Sequence, residues 1–86
     1  MINGKDNPVE WAQLSYELED TIEHLRAISK KVSSNSIIDE TDLRIELGHV
    51  YAHLNRIWNT RNQIGDYSDS QREEFSQFPT DIAPVG

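Results

Sequence analysis

The chain has no cysteine among its 86 residues, which excludes a disulfide framework, a thiolate metal site and a thiol nucleophile. Glycine and proline are sparse, and no Gly-rich phosphate loop, dinucleotide fingerprint or zinc-finger spacing occurs. Long apolar runs are absent too. Nothing approaches the roughly 20 apolar residues that cross a bilayer, and the start Met1-Ile2-Asn3-Gly4-Lys5-Asp6 lacks the basic and apolar segments of a secretory signal. A soluble, cytoplasmic protein is the expectation. Positive charge is scarce: 8 Lys and Arg stand against 15 Asp and Glu, for a formal charge of -7. That balance argues against an extended phosphate-binding surface, so neither nucleic acid nor a membrane is an expected partner. The imbalance is greatest after Gly65, where five acids face Arg72 alone.

What the chain does have is heptad spacing, written twice. Trp11, Leu14, Leu18, Thr21, Leu25, Ile28 and Val32 recur at intervals of 3 and 4, and so do Leu43, Leu47, Val50, Leu54, Ile57, Arg61 and Ile64. The spacing predicts an all-α, coiled-coil-like antiparallel two-helix hairpin over residues 8–65, with an N-terminal arm at 1–7 and an acidic tail at 66–86. Asn7 as N-cap and Pro8 at the first helical position open helix 1, which is expected to reach about Ser33 with Lys30 and Lys31 in its last turn. Ser33 to Ser36 break the pattern and place a turn near Asn35 and Ser36. Asp39 caps helix 2, expected over about 40–64 and ended by Gly65. In the tail, Ser68 and Gln71 form a possible capping box for one or two further turns. Phe75, Phe78 and Ile82 make this segment too apolar for mere solvation.

Antiparallel pairing about that turn brings together residues whose numbers add to about 71 or 72, such as Leu18 with Leu54 and Thr21 with Val50. Trp11 is then expected over Arg61 as a cation–π pair. One flank of the seam carries Ile22, Tyr51 and Trp58, an apolar stripe wider than two helices require. Its simplest use is self-association into a dimeric four-helix bundle.

The opposite flank collects every histidine. Glu17, Asp20 and His24 on helix 1 face Glu46, His49 and His53 on helix 2, with Glu17 expected near His53 and His24 near Glu46. Imidazole and carboxylate at these spacings are the groups from which bundle sites for Zn, Mn or Fe are built, although a solvated row of ion pairs has the same composition. A third strip, Asn55, Arg56, Asn59 and Asn62, reads as an outward recognition face, because asparagine is a poor choice for an exposed helix. Ser15 stands beside Trp58, with no base to activate it as a nucleophile.

Glu17-x-x-Asp20 and Glu46-x-x-His49 resemble the carboxylate motifs of the MazG-type all-α nucleotide pyrophosphatases. The resemblance implies Mg-dependent hydrolysis of nucleoside triphosphates. His49 departs from it by standing where an acid is expected, and no lysine follows helix 2 to hold phosphate. The leading expectation is therefore a non-enzymatic, self-associating protein–protein interaction module with no cofactor. The rivals are a metal-binding or metal-dependent hydrolytic bundle and an acidic inhibitor or immunity-type protein that binds a basic target through its tail.

Overall fold

The computed structural model describes residues 1–35 and 37–86, and it contains three helices and no strand among them: α1 (Pro8–Asn35), α2 (Glu40–Asn59) and α3 (Asp69–Phe75). The turn expected at Ser36 lies outside the described residues.

Helix α1 opens on Pro8, as the sequence predicts, with Glu10 in its first turn. Asn7 uses its side chain differently from an N-cap: Asn7 Oδ1 accepts from Asn3 N at 3.2 Å, and Asn3 Oδ1 in turn takes Lys5 N and Asp6 N at 3.0 and 2.8 Å. The helix also runs on through Ser33 and Ser34, where the Ser34 hydroxyl donates to Lys30 O at 2.8 Å. Lys31 therefore leaves the last turn and reaches across to Glu46.

Helix α2 starts where expected, with Asp39 accepting from Thr41 N at 2.7 Å. It ends at Asn59, not at Ile64. At this end the Thr60 hydroxyl adds a second bond to Arg56 O at 2.6 Å, beside that from Thr60 N, and the Arg61 guanidinium donates to Trp58 O at 2.8 Å, a carbonyl that a further turn would have used. The N-terminal arm adds to this end: Ile2 is buried, and its N–H donates to Arg61 O at 2.8 Å. Gly4 passes so close to Trp11 that a Cβ there would meet the indole at 3.0 Å.

Contacts between the long helices run in opposite order along the chain. Glu17 meets His53 and Arg56, His24 meets His49, and Lys31 meets Glu46, so α1 and α2 lie antiparallel. Thr21 and Val50, expected to face each other mid-seam, are both buried. The leucines of the seam are not. Leu18 and Leu54 stay 42% and 44% exposed, and Leu25 is similar, because two cylinders touch along a line and larger side chains flank that line. Ile2 and Val50 are the buried apolar residues.

Candidate functional site

The polar flank centres on Glu17. Arg56 Nε donates to its Oε1 at 2.8 Å and Nη2 to its Oε2 at 3.2 Å, while His53 Nδ1 lies 2.5 Å from Oε2. Burial disfavours the charged carboxylate, but the bonds from Arg56 and His53 outweigh that and hold the Glu17 carboxyl below its ordinary range. The Glu17 approach to His53 agrees with the register. Its companion does not: His24 stacks on His49 and meets His53 at a tilt rather than pairing with Glu46, with ring centres 5.2 and 5.3 Å apart. Glu46 Oε1 is taken by Lys31, whose ammonium is stabilised in turn, and its Oε2 is buried with no hydrogen-bond partner. Asp20 stays exposed on α1. Of the six residues read as metal candidates, the fold thus gathers the three imidazoles and commits Glu17 to a guanidinium.

The asparagine strip is corrected by the structure. Asn55 and Arg56 are only 6% and 7% exposed, because the segment after α3 lies on them. Asn55 Nδ2 donates to Ser76 O at 2.8 Å, Asn59 Nδ2 to Phe75 O and Gln77 O at 2.8 and 3.0 Å, and Arg56 Nη1 to Ser76 Oγ at 2.9 Å. The carbonyls left over at the C-terminal end of α3 are what these amides recognise. Asn62 alone of the four remains exposed. Helix α3 itself is nucleated by the expected capping box, Ser68 Oγ accepting from Gln71 N and Gln71 Oε1 from Ser68 N.

The same segment covers part of the apolar flank. Trp58 Nε1–H donates to Asp81 Oδ1 at 2.9 Å, which lowers that carboxyl, and Phe78 meets Tyr51 edge-on with ring centres 5.1 Å apart. Arg61 stacks on Trp58 at 3.8 Å and reaches Asp81 Oδ2 at 3.3 Å. The expected Trp11–Arg61 pair is thereby replaced: the shortened α2 turns Arg61 back onto its own helix. Glu10 accepts from Gly65 N at 3.0 Å, and Gly65 has a φ of 79° suited to glycine. A groove of about 440 Å³ remains between α2 and the tail, lined by Tyr51, Leu54, Trp58, Phe78 and Ile82.

Ser76, Asp81 and Ile2 are the residues that sequence reasoning missed. The apolar tail residues and the capping box are the signal for Ser76 and Asp81, and Ile2 has none. No described helix is long and apolar enough to cross a membrane. No protein-family model, curated protein or solved structure matches this chain.

Proposed function

We propose that the protein is a non-enzymatic interaction module that self-associates, two antiparallel hairpins packing into a four-helix bundle. The observation that supports this is surface left uncovered. A compact monomer of 9.9 kDa exposes roughly 5,200 Å², whereas this chain exposes 6597 Å². The excess, about 1,400 Å², exceeds the roughly 800 Å² that each partner contributes to a standard interface. The radius of gyration, 14.9 Å, likewise exceeds the roughly 12 Å of a compact domain this long.

The uncovered apolar side chains are ordered. Leu18, Ile22 and Leu25 follow one another at spacings of 4 and 3 on α1, and Tyr51 and Leu54 stand three apart on α2, all between 42% and 48% exposed. A second copy would cover this stripe and supply the core that one chain lacks. Trp58 contributes less than the sequence suggests, being held by Asp81 and Arg61. Light scattering on Ile22→Glu tests the reading: the variant should elute with half the mass of the wild type. Equal masses for the two would refute it.

A further inference from the structure

All three histidines of the chain meet at one place. His49 and His53 stand four apart on one face of α2, and His24 of α1 lies against both. We propose that His24, His49 and His53 bind a single divalent transition-metal ion of the zinc class, with Glu17 as the residue that positions His53.

The spacing suits such an ion. Two imidazoles on one tetrahedral zinc, at about 2.0–2.1 Å per bond, have ring centres roughly 5 Å apart, and the observed separations are 5.2 and 5.3 Å. The His24 and His49 planes differ by 25° and stack, the His24 and His53 planes are tilted by 32°, and no three potential ligands among the described residues converge. Binding requires rotation of the His24 and His49 rings about their soft terminal torsions while the helices stay in place. His49 is exposed and gives the ion access.

His53 is preset for coordination. Arg56 donates to both oxygens of Glu17, which marks that group as an acceptor-only carboxylate, so the His53 nitrogen 2.5 Å away carries the hydrogen. The 3.1 Å approach of Arg56 Nη2 to the same nitrogen is then a donor–donor contact. Nε2 keeps its lone pair, in the carboxylate–histidine arrangement that orients metal-binding imidazoles. Three imidazoles select zinc, nickel or copper over magnesium.

The experiment uses the full chain after chelator treatment, titrated with zinc chloride and followed by the ring C–H resonances of its three histidines. All three should shift together and saturate at one ion per chain, and magnesium chloride should leave them in place. His49→Ala, at an exposed position, should weaken binding at least tenfold, and Glu17→Gln about tenfold. Unmoved ring signals in excess zinc, unchanged affinity in His49→Ala, or one ion per two chains would each overturn the proposal. Zinc should also raise the melting temperature of the wild type, by mass action on the native state.

Discussion

Asn55 donates its side-chain amide to the carbonyl of Ser76 across 2.8 Å, from a position only 6% exposed. This bond ties the end of α3 to the C-terminal part of α2. Asn55→Ala removes the donor and strands a covered carbonyl, a change that costs about 1–3 kcal/mol. Hydrogen exchange should show lost protection over residues 69–77 with α1 and α2 still protected. Unchanged protection there would mean that the tail is held by its apolar contacts alone.

Glu17 carries the charge balance of the buried Arg56, whose side chain is 8% exposed. Glu17→Gln leaves that guanidinium without its counter-charge and should cost about 3 kcal/mol in denaturant unfolding at pH 7. The folded-state value of the Glu17 carboxyl is depressed below 4.5. Its stabilisation is therefore complete above that value and lost as pH falls through the depressed one. The wild type should lose melting temperature below about pH 4.5, and the Gln variant should lose less over the same range. Parallel curves would contradict this role.

How much of this could be read from the sequence divides along physical lines. Periodicity and caps gave α1 and α2, because Pro8, Asp39 and the 3–4 spacing act locally, and the pairing of Glu17 with His53 followed from register. The early end of α2 did not follow, since it depends on Ile2 and Glu10 arriving from the far end of the chain. The burial of Asn55 and Arg56 did not follow either. Nothing near them in sequence announces that residues 75–77 will supply acceptors.

Gly48 has open space where a Cβ would stand, with nothing within 4 Å. Gly48→Ala should stabilise the chain by about 1 kcal/mol through helix propensity. Thermal melts would show it, and weakened self-association in this variant would instead place a partner's backbone against α2 at that point.

Leu18 and Leu54 distinguish the single chain from the assembly. In one copy they are nearly half exposed, so truncating either to Ala should cost roughly 1 kcal/mol. Buried in a four-helix core, each truncation should cost about 2–5 kcal/mol. Unfolding at high protein concentration reads the difference, and the larger cost is the expected one.

Sedimentation equilibrium of the wild-type chain between low and high micromolar concentration bears most directly on the uncovered apolar stripe. The account predicts a species of twice the 9.9 kDa chain mass, dissociating on dilution. A folded particle of 9.9 kDa across the whole range would contradict it.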